Sequence, residues 1–273
     1  MVRSLWSAAT GMNAQQTNVD TIANNLANVN SAGYRAQKAE FKSLLYQTLQ
    51  TATTTANGDP KPTTSQVGLG VRTSSINNIF TQGAFLASES DTSFAIGGDG
   101  FFALRGEDGN TYYTRNGDFT WAMGNNNNLI LTNQDGLPVL TTTGREITLN
   151  RNTYVANRIV VTEDGEVCYP DENNNLQPIG FKIGLYQFNN PGGLQRVGDT
   201  LFAVTDASGA ALNEETNPNL RRSRVVQGYL EGSNVSVADE MVNLIVAQRA
   251  YEMNSKAITT SDSMMDTANN LKR

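Results

Sequence analysis

One stretch decides the fold of this chain: SVADEMVNLIVAQRAYEMNSKAITTSDSMMDTANNL, residues 236–271. Its apolar positions recur every seven residues, at Val237, Leu244, Tyr251, Ile258 and Met265. This spacing predicts a helix that lays one apolar stripe along a partner helix. Ser236 is a favourable N-cap residue, so we expect the helix to begin there. At 1.5 Å per residue it would run about 50 Å, and a helix of that length needs a long partner.

A second stripe with the same period lies at the other end of the chain. Its apolar positions seven apart are Leu5, Met12, Val19 and Leu26, and the interleaved series is Ala8, Gln15, Ile22 and Val29. Gly33 is placed to end this helix. A single such stripe favours the core face of an ordinary globular domain. Two stripes of equal period favour an antiparallel coiled coil of the terminal helices, with the rest of the chain inserted between them.

The predicted helix pair is polar for a coiled coil. Gln15, Gln248 and Ser255 lie within its stripes, and amides and hydroxyls dominate its outer faces. A two-helix hairpin of this composition buries little apolar surface and should be marginally stable alone. We therefore expect the termini to fold when copies of the chain pack together.

The middle of the chain is predicted to be mostly β. Residues 34–50 predict a short helix, and residues 51–66 are Thr-rich and predict an extended connector. Four turn signals of the hairpin type follow, at Asp108-Gly109, Asn116-Gly117, Asp135-Gly136 and Asp164-Gly165. The predicted class is α+β, with these segments: a helix in 1–33, a linking region in 34–93, an all-β domain in 94–210, a returning linking region in 211–235 and a helix in 236–273.

Composition argues against several classes of function. The net charge is −6 and there is no His, which disfavours nucleic-acid binding and removes the commonest general base and metal ligand. The lone Cys168 is expected to be an incidental half-buried thiol. Most carboxylates of the β region stand beside Gly or Asn, where turns need them. The sequence therefore predicts no catalytic residues, no cofactor and no metal, and no segment suited to crossing a membrane.

Several short motifs occur in the order found in one family. They are Asn24-Asn25-Leu26-Ala27-Asn28 with Gly33-Tyr34, then Phe80-Thr81-Gln82-Gly83, Tyr113-Thr114-Arg115-Asn116-Gly117, Gly228-Tyr229-Leu230-Glu231, and Gln248-Arg249-Ala250-Tyr251-Glu252 with Asn254 and Lys256. On these residues the chain resembles the bacterial flagellar rod and hook proteins. Leu44 to Thr48 and the Thr-rich segment after it resemble an insertion of rod subunits, which favours a distal rod subunit over a hook subunit.

The resemblance implies a structural protein rather than an enzyme. It implies a homo-oligomer in a hollow helical tube, with the terminal helices inside and the β domain outside. The implied partners are the proximal rod and hook proteins, the P and L rings, a rod cap and the flagellar type III export machinery. The implied location is the periplasm-spanning rod, reached without a cleaved signal peptide. The alternatives are a hook or proximal rod subunit, or a secreted carbohydrate-binding protein or enzyme with helical oligomerisation ends.

Two sets of site residues follow from the stripes and from the resemblance. The predicted assembly interface is Leu5, Met12, Val19, Ile22, Leu26, Val237, Met241, Leu244, Tyr251, Ile258 and Met265. The family signature residues are Asn24, Asn25, Asn28, Gly33, Tyr34, Gln248, Arg249, Tyr251, Glu252, Asn254 and Lys256.

Overall fold

The α+β class is confirmed in a computed structural model that describes residues 2–50, 65–124, 128–171, 173 and 175–271. An N-terminal helix, a β-rich middle and a C-terminal helix follow one another along the chain. The chain forms two compact units. Unit 1 comprises Met1–Ala27, Gln37–Asn78 and Ser236–Arg273, and unit 2 comprises Asn28–Ala36 and Ile79–Val235.

Unit 1 contains both long helices, α1 (Val2–Ala27) and α2 (Val237–Asn270). The predicted start of α2 is confirmed, because the Ser236 side chain accepts a hydrogen bond from the backbone N–H of Asp239. Asp239 and Glu240 place negative charge in the first turn, where the helix dipole favours it.

The predicted short helix in residues 34–50 is wrong, because two strands of unit 1 lie there. Strand β1 (Gln37–Ser43) pairs antiparallel with β4 (Val71–Asn78), and β2 (Tyr46–Gln50) pairs with β3 (Ser65–Gly68). Around the buried Ala39 of β1, burial alternates from one residue to the next, which is the period of a strand. The predicted connector at 51–66 lies almost wholly outside the described residues.

Unit 2 is built from short antiparallel strands. They are β5 (Phe85–Ala87), β6 (Phe94–Gly97), β7 (Phe101–Arg105), β8 (Thr111–Thr114), β9 (Thr120–Met123), β10 (Asn128–Thr132), β11 (Thr148–Asn150), β12 (Val160–Val161), β13 (Glu166–Pro170), β14 (Leu176–Lys182), β15 (Leu185–Gln187), β16 (Gln195–Gly198), β17 (Leu201–Ala203), β18 (Leu212–Asn213), β19 (Arg224–Gln227) and β20 (Tyr229–Glu231).

One six-stranded sheet, in the order β16-β17-β8-β7-β15-β18, forms the centre of unit 2. Two three-stranded sheets, β11-β10-β9 and β12-β13-β14, and the pairs β19-β6 and β20-β5 complete the described strands of this unit. The side chains of β7 alternate between two apolar clusters. Phe102 and Leu104 belong to the larger one, whereas Phe101 and Ala103 belong to the smaller.

Three of the four predicted turn signals are confirmed, and one is wrong. Gly109, Gly136 and Gly165 have φ of 78°, 83° and 79°, as hairpin-type turns require. Gly117 does not have a positive φ. Glycine is needed there because a Cβ atom would lie 1.7 Å from the carbonyl oxygen of Phe94.

Candidate assembly surface

Direct contacts between α1 and α2 show that the two helices run antiparallel. Near one end of the pair, the hydroxyls of Ser4 and Ser261 lie 3.2 Å apart. Near the other end, the Asn25 amide donates to a Glu240 carboxylate oxygen at 3.0 Å. Between them, a Cβ atom on Gly11 would lie 2.9 Å from the amide nitrogen of Asn254. The residues in these three contacts are small or polar and lie outside the predicted assembly interface.

The predicted stripe on α1 is only partly buried. Of its five site residues, Ile22 is buried, and Leu5, Met12, Val19 and Leu26 are half-buried. The other buried positions of the helix carry small or polar side chains: Ala8, Ala14, Thr21 and Asn25.

The predicted stripe on α2 is more exposed than that on α1. Val237, Met241 and Tyr251 are 42%, 53% and 42% exposed. Leu244, Ile258 and Met265 are half-buried. The buried side chains of α2 are the small ones of Ala247 and Ser261.

The largest apolar exposure on α2 lies beside the predicted stripe. Val242, Val246 and Met253 are 60%, 62% and 66% exposed, and Ile245 between them is 57% exposed. The sequence analysis did not assign Val242, Val246 and Met253 to the interface. Their spacing of four and seven residues would have indicated a second stripe on the same helix. Soluble monomers rarely expose a contiguous apolar face, so this surface indicates a binding partner.

A groove of about 400 Å³ in unit 1 is lined from both helices. Gln16 and Val19 of α1 form one wall, and Gln248, Tyr251 and Glu252 of α2 form the other. Three signature residues thus face this groove. The signature residue Arg249 pairs with Glu252 at 2.9 Å on the solvent-exposed surface. Lys256 is also exposed, and its carbonyl accepts the hydroxyls of Thr259 and Thr260.

Asn25 is the most deeply buried signature residue of unit 1, with no exposed surface. Its amide nitrogen donates to the carbonyl of Gln37 at 2.8 Å, and its amide oxygen accepts the Gln37 backbone N–H at 2.8 Å. Together with its bond to Glu240, one side chain holds the start of β1 and the first turn of α2. The neighbouring Asn24 contacts the Gln37 side chain at 3.3 Å.

The signature residues of unit 2 lie near its start. Asn28 accepts the hydroxyl of Ser31 at 3.2 Å. Gly33 has φ of 69°, and a Cβ atom there would lie 2.4 Å from the backbone nitrogen of Asn116, so only glycine fits. Tyr34 is buried, with the Arg196 guanidinium 4.7 Å from its ring centre.

A fully buried carboxylate, Glu231, stands in unit 2 between two buried guanidinium groups. It pairs with Arg35 at 2.7 Å and with Arg115 at 3.3 Å. Burial lowers the pKa of Arg115 to about 10, although the charge of Glu231 acts in the opposite direction. The motifs include Arg115 and Glu231, but sequence analysis gave them no role and missed Arg35. A charged residue directly after the Gly33-Tyr34 motif was the available signal.

Cys168 is more buried than predicted, at 4% exposed. Burial raises the pKa of its thiol, so the reactive thiolate is disfavoured at neutral pH. Among the described residues, no three His, Cys, Asp or Glu side chains are grouped so that they would hold a metal ion. Neither described helix has an apolar run that would span a bilayer.

Known proteins with similar sequences identify the family of this chain. Three family models match separate parts of the chain: flagella basal body rod protein at residues 5–35, flagellar hook protein FlgE/F/G D1 domain at 95–169, and flagellar basal body rod FlgEFG protein C-terminal at 226–271. Full-length relatives named flagellar basal-body rod protein FlgG occur in Borreliella burgdorferi (44% identical, 100% of both chains) and Bacillus subtilis (34% identical, 100% of both chains). The one from Agrobacterium fabrum is 41% identical over 96% of this chain and 97% of its own. The chain therefore belongs to the flagellar basal-body rod protein family.

Proposed function

We propose that this chain is a structural subunit of the flagellar basal body that assembles helically into the hollow distal rod. The observation that carries the proposal is the exposed apolar face of α2, formed by Val242, Ile245, Val246 and Met253. An apolar face of this kind is stabilised when other copies of the chain cover it. Relatives that match the whole length of the chain are named rod proteins, which agrees with this use of the surface.

In the proposed rod, α1 and α2 form an antiparallel coiled coil in the inner layers, and the strands of residues 94–210 lie outside. The predicted interface residues and the exposed positions on α2 then meet neighbouring copies. Because Val242, Ile245 and Val246 are exposed in the monomer, the apolar stabilisation from these side chains comes from those neighbours. Ordering of the helices and assembly of the rod are therefore coupled.

Such a rod transmits torque from the motor to the hook and forms part of the export channel. Its axial partners are the proximal rod and hook proteins. The P and L rings encircle it, and a rod cap is present while it assembles. The subunit reaches this periplasm-spanning position through the flagellar type III export machinery, without a cleaved signal peptide. Amide- and hydroxyl-rich helix faces suit a channel wall, because they offer unfolded cargo few ion pairs.

Cryo-electron microscopy of the assembled purified chain tests the proposal. The expected map is a tube in which residues 3–30 and 237–271 of many copies line the inside. A discrete particle in which these helices contact only their own chain would contradict it. Distal rod is separated from hook by complementation: in a strain that lacks its distal rod subunit, this chain should restore rods that carry hooks.

A further inference from the structure

We propose that residues 231–234 form a strap that closes unit 2 over the segment 28–36. The segment 28–36 follows α1 in the chain, whereas the strap directly precedes α2. In the proposed arrangement, the strap keeps the segment closed, and the contacts that Arg196 makes with Tyr34 and with the carbonyl of Arg35 are not sufficient to do so alone. All the contacts that carry this inference lie within unit 2.

Hydrogen bonds of Glu231 and Gly232 attach the strap to two separate parts of the unit. The backbone N–H of Gly33 donates to the carbonyl of Glu231 at 2.7 Å. The N–H of Gly232 donates to the carbonyl of Ala84 at 2.8 Å, and the N–H of Gly83 donates to the Glu231 carboxylate at 2.9 Å. The strap thus joins the segment 28–36 to the loop before β5.

Asn234 at the end of the strap repeats this arrangement with its side chain. Its amide oxygen accepts the backbone N–H of Ala36 at 2.7 Å. Its amide nitrogen donates to the carbonyls of Ile79 at 2.8 Å and Thr81 at 3.1 Å. One side chain therefore satisfies backbone groups from two segments far apart in sequence, because its amide offers both an acceptor and two donor hydrogens.

The carboxylate of Glu231 in the strap is the counterion that allows Arg35 of the segment 28–36 to stay buried. Arg35 and Arg115 are 0% and 2% exposed, and Glu231 is the only carboxylate within 4.0 Å of either guanidinium among the described residues. Without it, two buried cations lose their counterion, which is strongly unfavourable. Arg115 also donates to the carbonyls of Ile96 and Gly98. The described structure gives Arg35 no such second acceptor, and its Nε and Nη1 atoms are buried without a hydrogen-bond partner. Arg35 is therefore the cation expected to leave for water, taking its segment with it.

Arg35 and Glu231 are 196 positions apart in the chain. While a chain is only partly exported and residues 231–234 have not yet emerged, the strap is missing and the segment 28–36 stays open. In this way the requirement for the strap delays ordering of the segment that follows α1 in the sequence. This consequence rests on the proposed function, whereas the strap itself does not.

Limited trypsin digestion of the full-length monomer tests the strap, because trypsin cleaves after Arg35 only when that segment opens. Glu231→Gln keeps the shape of the side chain and removes its charge. We expect it to raise the cleavage rate after Arg35 about 100-fold, while cleavage after Arg105 in β7 stays at the wild-type rate. Asn234→Ala is a milder variant that leaves the charges in place, and we expect a rise of about tenfold at the same bond.

The control is Glu163→Gln, which removes a carboxylate that is 75% exposed and should leave both cleavage rates unchanged. Equal acceleration after Arg35 and Arg105 would overturn the strap, because Glu231 would then stabilise unit 2 as a whole. No acceleration after Arg35 would overturn it as well. Either result is obtained on monomers, so it leaves the proposed rod function standing. Conversely, failure of the chain to form tubes leaves the strap standing.

Discussion

Replacing Ile245 and Val246 together by Asp should weaken assembly strongly while leaving unit 2 folded. The two side chains are 57% and 62% exposed, so the double substitution disturbs little within the chain. Full burial of a Val or Ile side chain contributes about 1.5–3 kcal/mol, so covering the exposed parts of both would contribute about 2–3.5 kcal/mol per subunit. At 1.4 kcal/mol for each factor of ten, losing this contribution raises the critical concentration for assembly about 30-fold to 300-fold. Burial of the new charges would add to the effect.

The assay is sedimentation of polymer over a range of total protein concentrations, with far-UV circular dichroism of the monomer as a check on folding. The matched control is Asn243→Asp with Thr260→Asp, which places the same two charges at exposed polar positions of α2. A double Ile245/Val246 variant that polymerises at the wild-type critical concentration would refute the reasoning, because the exposed face would then lie outside every contact between copies.

Three further predictions concern single residues. Gly33→Ala should prevent unit 2 from folding, because the new methyl group would lie 2.4 Å from a backbone nitrogen. The control Gly228→Ala has φ of 77° and open space around the new methyl group, and it should lower the free energy of unfolding, measured with denaturant, by only about 1–2 kcal/mol. Asn25→Ala should lower the free energy of unfolding of unit 1 by about 1–3 kcal/mol, and Asn13→Ala on the exposed surface should not. Cys168 should react with iodoacetamide only on unfolding. Burial in the folded state raises the pKa of its thiol, so the contribution of this group to the free energy of unfolding is present below the ordinary value of 9.0 and falls as the pH rises above it. Unfolding measured as a function of pH would detect this loss.

The helices were predictable because their signals are local and repeated. The start of α2 follows from Ser236 and the acidic first turn, and its length follows from an uninterrupted run without Pro or Gly. Which side chains face the partner helix was less predictable. A seven-residue period marks Leu244 and Ile258, but it does not indicate that Ser4 and Gly11 also contact α2. Small residues give no hydropathy signal, and only packing reveals that they allow close approach.

The error at residues 34–50 has a different cause. Leu45 and Leu49 have the spacing of one helix face, yet Leu45 just before β2 is 83% exposed and Leu49 within β2 is 51% exposed. Their apolar character therefore does not reflect burial within the monomer, and a pattern that assumes burial misreads them. The ionic cluster around Glu231 escaped prediction because its members are far apart in sequence. Apart from its place directly after the Gly33-Tyr34 motif, nothing in the local sequence distinguishes Arg35 from a solvated arginine.

The residues buried in α1 and α2 help to explain why the monomer exposes large apolar side chains of α2 to water. The buried apolar residues of these helices are Ala8, Ala14, Ile22 and Ala247, and each Ala contributes about 0.8 kcal/mol from its single methyl group. Val242 and Ile245 would contribute two to three times as much but remain exposed. Most of the fully buried apolar side chains of the pair are therefore small, and in the proposed rod the larger exposed side chains would be covered by other copies. Exchanging these roles, with large residues inside and small ones outside, would give a stable monomer that gains little by assembling.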